Sequence, residues 1–246
     1  MEIISSKQNA NVVFAKHLQD KKFRKENNMC LLEGEKLIIE ALKLNIKFVS
    51  IFILVGQNYS WLNSLDCKMF YVNSTIIKYL SSHVTPQGVI AVIDTNYQYD
   101  IKTKRLLVLE NIQNPDNFGA IIRSAVATGF NKIYTINCVD KFNEKVVRAS
   151  MGTIFKTNVV ETNYQQLKTM ANNLYIADMS GKNVFEIETF NDEIGLVIGN
   201  EGNGISEHIK SMVKNSLSIP MLNDVESLNA SVSAGILMYQ IFSKTK

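Results

Sequence analysis

Residues 106–129 read LLVLENIQNPDNFGAIIRSAVATG. The opening run is short, apolar and bounded by turn chemistry, the signature of a buried strand. Asn-Pro-Asp-Asn breaks it, and Ile121, Ile122, Ala125 and Val126 then recur at helical spacing until Gly129 closes the segment. Asn117 takes the position of a helix N-cap, with Pro115 and Gly119 fixing the turn. Arg123 lies beyond that cap among the apolar residues, near a dipole end that offers a cation nothing. An arginine so placed either reaches out to water or is held for a purpose.

The same strand–turn–helix grammar runs through the rest of the second half. Strands are expected at KIYTIN (132–137), TNVVE (157–161), NLYIADM (173–179), GLVIGNEG (195–202) and LSIPM (217–221). Helices are expected at NEKVVRASMG (143–152), ISEHIKSMVKN (205–215) and ESLNASVSAGILMYQIFSK (226–244), the last capped by Ser227 or Asn229. This alternation implies an α/β fold with a parallel, helix-covered sheet, and such sheets bind ligands at the carboxyl ends of their strands.

The first half reads as a small α/β domain of its own. One polar helix is expected over NVVFAKHLQDKKFRKENN (11–28). A second helix, EKLIIEALKLN (35–45), has Leu37, Ile38, Ala41 and Leu42 on one face, and a third, STIIKYLSS (74–82), has Ser74 as its cap. Strands fall at MCLLEG (29–34), FVSIFILV (48–55), KMFYV (68–72) and GVIAVI (88–93). The polar stretch DTNYQYDIKTKR (94–105) has neither period and reads as a linker. The expected division is therefore 1–94, a linker at 95–105, and 106–246.

Bulk properties narrow the class. At 46% hydrophobic and 20% charged residues the chain has the make-up of a soluble globular protein, and its longest apolar runs are too short to cross a bilayer. The N-terminus lacks a signal-peptide pattern. Cys30, Cys67 and Cys138 are an odd, scattered set, which suits a reduced cytoplasmic protein. His17, His83 and His208 have no ligand spacing, so no metal is expected. A net charge of +3 is compatible with a nucleic-acid partner without arguing for one.

Three strand ends carry the chemistry. After the strand at 106–110 come Asn117 and Arg123. The loop LVIGNEGNGIS (196–206) places glycines at 199, 202 and 204 in a G-x-x-G-x-G spacing, unlike a dinucleotide loop, and its Glu201 would repel a pyrophosphate. A ligand carrying positive charge suits it better. The third, SIPMLNDVESLNASVSAG (218–235), leads into a helix whose first turns are nearly all small residues and whose later turns are apolar almost all round, as for burial against the core and a further surface.

In order and spacing, N-x-G-x-x-x-R-x-A-x-x-x-G (117–129), G-x-E-x-x-G-x-S (199–206) and I-P-M…S-L-N-x-S-x-x-A (219–234) closely resemble the three signature motifs of the SpoU-type (TrmH-like) RNA 2′-O-ribose methyltransferases of the SPOUT group. The likeness spans 105–246. LLEGEKLIIEAL (31–42) is similar to the ribosomal-protein-like substrate-binding domain that precedes the catalytic domain in ribosomal-RNA members. The resemblance implies a deep C-terminal trefoil knot, S-adenosylmethionine as methyl donor and a homodimer. By motif position it implies cofactor contacts from Gly199, Ile219, Met221 and Leu228, and a catalytic cluster of Asn117, Arg123, Glu201, Ser227 and Asn229. Asn223–Asp224 stands where many members have a glycine. The family's arginine is often described as the general base. Because a guanidinium scarcely deprotonates in proteins, Arg123 is read here as an electrostatic positioner, with Ser227 or a water relaying the proton and Glu201 and Asn117 orienting it.

RNA contacts are expected from the basic run KHLQDKKFRK (16–25), through Lys21, Lys22, Arg24 and Lys25, and from Arg148 in the catalytic half. The two-domain layout favours ribosomal over transfer RNA by analogy. Rival readings are an NAD-linked oxidoreductase, against the glycine spacing and Glu201, and a non-catalytic RNA-binding relative, against the complete motif set.

Overall fold

In the computed structural model, residues 3–97, 102–169, 173–200, 202–223 and 225–245 are described. The chain divides into two units, Met1–Gln98 with Phe142–Arg148, and Tyr99–Lys141 with Ala149–Lys246.

In the first unit β1 (Ile3–Ile4) is followed by α1 (Ala10–His17), α2 (Lys21–Asn27), β2 (Met29–Glu33), α3 (Glu35–Lys43), β3 (Phe48–Leu54), β4 (Lys68–Val72), α4 (Ser74–Leu80) and β5 (Val89–Asp94). The sheet order is β1-β4-β3-β5-β2, with β5 antiparallel to both of its neighbours and the other pairings parallel. Val12, Ala15, Phe52, Val72, Ile76 and Leu80 belong to one buried cluster, which fixes α1 and α4 against the sheet. The single helix expected over 11–28 is broken in two. Asp20 accepts a hydrogen bond from the Phe23 amide at 2.9 Å and caps a new helix, which Asn28 ends at φ 51°. Likewise Asn73, rather than Ser74, caps α4 through the Ile76 amide at 3.0 Å.

The second unit contains β6 (Arg105–Glu110), α5 (Pro115–Ala127), β7 (Lys132–Ile136), α6 (Glu144–Ala149, most of which groups with the first unit), β8 (Asn158–Glu161), α7 (Tyr164–Lys168), β9 (Leu174–Asn183), β10 (Ile194–Ile198), α8 (Glu207–Met212), β11 (Asn215–Ser218) and α9 (Ala230–Lys244). Its six strands run β11-β9-β10-β6-β7-β8, and every pairing is parallel. All five residues of β10 are buried, the continuous apolar run that a strand needs when both faces of its sheet are covered. Leu167 of α7 and Ile209 of α8 join Val108 and Val197 in one core cluster, while α5 and α9 pack on each other.

β9 departs from the expected short strand. Its pairing with β11 jumps from Ile176↔Ser216 to Lys182↔Leu217, so Ala177–Gly181 bulge out of the ladder. Gly181 permits this: a Cβ there would stand 2.6 Å from the Leu217 nitrogen.

Candidate active site

Asn114, three residues before the expected cap, begins α5. Its Oδ1 accepts from the Asp116 and Asn117 amides at 2.9 and 3.1 Å, and Pro115 fills the first helical position, where a missing N–H costs nothing. Asn117 therefore lies inside the first turn. Ile121, Ile122 and Ala125 are fully buried, and Arg123 is exposed on another face of the helix. Its guanidinium makes no hydrogen bond or ion pair among the described residues, which leaves its donors available.

Asn229 is the cap of α9, accepting from the Ser231 amide at 2.9 Å, and Ser227 lies outside the helix. From that cap Asn229 Nδ2 donates to Asn117 Oδ1 at 3.0 Å, joining residues 112 positions apart. The two helices lie close here: a Cβ on Gly235 would make an ordinary contact with Ser124 Oγ at 3.8 Å. The first and third motifs thus meet at the paired starts of α5 and α9.

The glycine loop follows β10. Asn200 and Gly204 exchange two backbone hydrogen bonds at 3.0 and 2.9 Å, and Asn200 Oδ1 accepts from the Gly202 amide at 2.9 Å. The loop folds so tightly that a Cβ on Gly199 would lie 2.3 Å from the Gly204 carbonyl oxygen and 2.6 Å from the Ile205 nitrogen. Glu201 lies outside the described residues.

Between this loop, the β9 bulge and the segment leading to α9 is a cleft of about 390 Å³. Gly199, Ile219, Met221, Leu228 and Ser227, all expected on sequence grounds, line it. Ile198, Ile205 and Leu237 supply an apolar wall. Sequence reasoning missed Asp178 and Lys210, which also line it and pair at 3.0 Å. Hydrogen bonds from the Ser180 hydroxyl and amide, then from Lys210, hold the Asp178 carboxyl down at about 2. The signal was there in Asp178-Met179-Ser180-Gly181, turn chemistry inside an apparent strand. Asn223 takes φ 59°, a left-handed conformation that asparagine tolerates.

Volume and lining fit S-adenosylmethionine. The cleft is within the usual range for small-molecule sites, roughly 300–1,000 Å³. Apolar walls suit an adenine ring, the Asp178–Lys210 pair suits the polar ends, and the described lining carries no row of lysines and arginines such as a phosphate site needs. Among the described residues no three His, Cys, Asp or Glu side chains gather as a metal would require. Burial pushes the Cys138 thiol up to about 11, which makes it inert as a nucleophile.

The basic run divides. Lys21, Lys22 and Lys25 are exposed, but Arg24 is only 5% exposed and donates to the Leu18 and Gln19 carbonyls at 2.8 Å. Its role is to lock the α1–α2 turn, and it is not available to a phosphate. Arg148 groups with the first unit, not with the half that carries the three motifs.

Comparison with known proteins agrees with this geometry. Residues 104–239 match the SpoU rRNA Methylase family, and residues 9–91 match the MRM3-like substrate binding domain. The chain is 28% identical to the 23S rRNA (guanosine(2553)-2′-O)-methyltransferase RlmP of Bacillus subtilis, over 98% of this chain and 99% of that one. It is 24% identical to mouse mitochondrial rRNA methyltransferase 3, over 91% of this chain and 69% of the relative. A solved AdoMet-bound rRNA methyltransferase from Sinorhizobium meliloti shares the fold at a TM-score of 0.86 and 23% identity, covering 98% of this chain and 97% of that one. With more than half its length matched by the family, the chain belongs to the SpoU rRNA Methylase family and is, as such, an S-adenosylmethionine-dependent RNA methyltransferase.

Proposed function

We propose that the protein methylates a ribose 2′-hydroxyl of ribosomal RNA, with its first unit holding the RNA and its second carrying out the transfer. The observation that carries this reading is the 3.0 Å bond between Asn117 and Asn229, which brings two distant motifs together at the same sheet edge as the Gly199 cleft. A ribose hydroxyl is a poor nucleophile and must shed its proton as it attacks. S-adenosylmethionine, when bound, supplies a methyl group made electrophilic by its sulfonium. The chain's own residues do the rest. Gly199, Ile219, Met221 and Leu228 hold the donor, largely through backbone. Arg123 uses its fork to fix the phosphate beside the target ribose or to stabilise the forming oxyanion. Ser227, exposed on the cleft, or a water relays the proton, and Asn117, Asn229 and Glu201 orient the group. The relatives named for ribosomal RNA, matched along nearly the whole chain, favour that substrate over transfer RNA. Comparing 2′-O-methylation across ribosomal RNA from cells with and without the gene should reveal one site lost; an unchanged map would overturn the reading.

Lys21, Lys22 and Lys25 are the phosphate contacts of the first unit. Neutralising all three should flatten the salt dependence of RNA binding by up to about 3 in log–log slope, near 0.9 per contact. An unchanged slope would reject the assignment.

The assembly is a homodimer, supported by an apolar stripe on α9. Val232, Tyr239 and Phe242 share one face and are 48%, 52% and 47% exposed, more than a helix otherwise packed in the core should leave to water. Light scattering should give twice the 27.7 kDa chain mass, and a value for one chain would refute it. The parallel order, with α9 returning onto α5, supports the trefoil knot of the family. No described helix is long and apolar enough to cross a membrane. Cys30, Cys67 and Cys138 form no disulfide, which supports a reducing, cytoplasmic location.

A further inference from the structure

β6 ends in a carboxylate that water does not reach. Glu110 is 0% exposed. Its Oε2 accepts from the Ser206 amide at 2.8 Å, and its Oε1 accepts from Ser206 Oγ at 2.5 Å and from the Tyr164 hydroxyl at 2.8 Å. A carboxylate is tolerated at such depth only when donors replace its hydration, and here three do so. The network is felt in return: burial and then the Glu110 carboxylate raise the pKa of Tyr164.

One residue further on, Asn111 adopts φ 57°, and its carbonyl accepts from Asn200 Nδ2 at 3.0 Å. Asn200 begins the glycine loop and Ser206 ends it. The loop is therefore tied at both ends to successive residues of one strand tip. The same strand tip leads, through 111–114, into α5 with Asn117 and Arg123. Internal loop bonds alone, from Asn200 to Gly202 and Gly204, would fix the loop's shape but not its place.

We propose that Glu110 is a positioning residue for methyl transfer: by gripping Ser206 it sets the loop of residues 199–206 in register with the start of α5, so that the donor side and the RNA side of the reaction keep one geometry. The proposal rests on the methyl-transfer reading. Glu110 is buried and is not among the residues that line the cleft. Tyr164 is its third donor and lies outside the loop, so it shares in burying the charge without placing the glycines.

That division gives the test. Ser206→Ala removes a clamp donor, Ser206→Thr restores the hydroxyl, and Tyr164→Phe removes a bond to the same Oε1 that does not reach the loop. Ser206 also caps α8 through the Ile209 amide, so assays are run well below each variant's melting temperature. Ser206→Ala should lower kcat about 10-fold, because small misplacements of reacting groups cost that much or more. Ser206→Thr should recover most of the loss, and Tyr164→Phe should stay within about 2-fold of wild type. Glu110→Gln, of equal size, should follow Ser206→Ala in kcat if it folds. Hydrogen exchange at the amides of 202–205 should quicken in Ser206→Ala alone of the three. Equal losses in Ser206→Ala and Tyr164→Phe, or wild-type kcat and exchange in Ser206→Ala, would overturn the clamp. If the wild type transfers no methyl group, the functional reading fails, and the exchange measurement still decides the clamp.

Discussion

Arg123→Ala should lower turnover by about 10²–10³-fold, the usual cost of removing one donor aimed at developing charge. Stability should change by no more than about 0.5 kcal/mol, because the side chain is exposed and no described residue bonds to it. The combination is diagnostic. A surface arginine that merely reaches for water would leave both quantities alone, and one that holds the fold would lower both. Arg123→Lys separates two catalytic roles. A positioner should lose most of its effect, since an ammonium lacks the planar fork, and its pH profile should stay where it was. Comparable turnover with a profile shifted to lower pH, as the lower pKa of an ammonium requires, would mark the side chain as the base instead.

Gly199→Ala should weaken binding of S-adenosylhomocysteine by about 5- to 100-fold in calorimetry. The added carbon would stand 2.3 Å from the Gly204 carbonyl oxygen and 2.6 Å from the Ile205 nitrogen, both backbone atoms that cannot rotate aside. Overpacking of this kind costs about 1–3 kcal/mol, and here it is relieved by opening the loop that walls the cleft. Far-ultraviolet circular dichroism should be unchanged, because β10 and its neighbours are paired before the loop begins. Wild-type affinity in this variant would mean that the cofactor lies elsewhere. Gly202→Ala should have a much smaller effect, because a Cβ there would meet Asn200 Oδ1 at 3.5 Å, an ordinary van der Waals distance.

The alternation of apolar runs and helical faces made the parallel sheet of the second unit legible, because covered strands such as β10 cannot carry polar residues on either side. Caps were harder to place. Asn114 and Asn117 are chemically equal candidates, and only Pro115, which favours the first helical position, tips the choice to Asn114. The break at Asp20 was hidden because the flanking residues keep helical character, and Arg24 looked like its lysine neighbours until its turn of helix aimed it at carbonyls. The β9 bulge depends on how β11 pairs with it, which no local pattern encodes. Glu110 was the least visible: an acid at the end of a strand reads as solvated, and three donors from elsewhere in the chain make it otherwise.

The central claim, that these strand tips join a methyl donor to a ribose oxygen, is tested most directly by the chemical position of the transferred group. Purified protein would be given methyl-labelled S-adenosylmethionine and ribosomal RNA lacking the modification, and the RNA then digested to nucleosides. The label should appear in one 2′-O-methylnucleoside, at a rate about 10²–10³-fold lower with Arg123→Ala. Label on a base, or none at all with the wild-type protein, would contradict it.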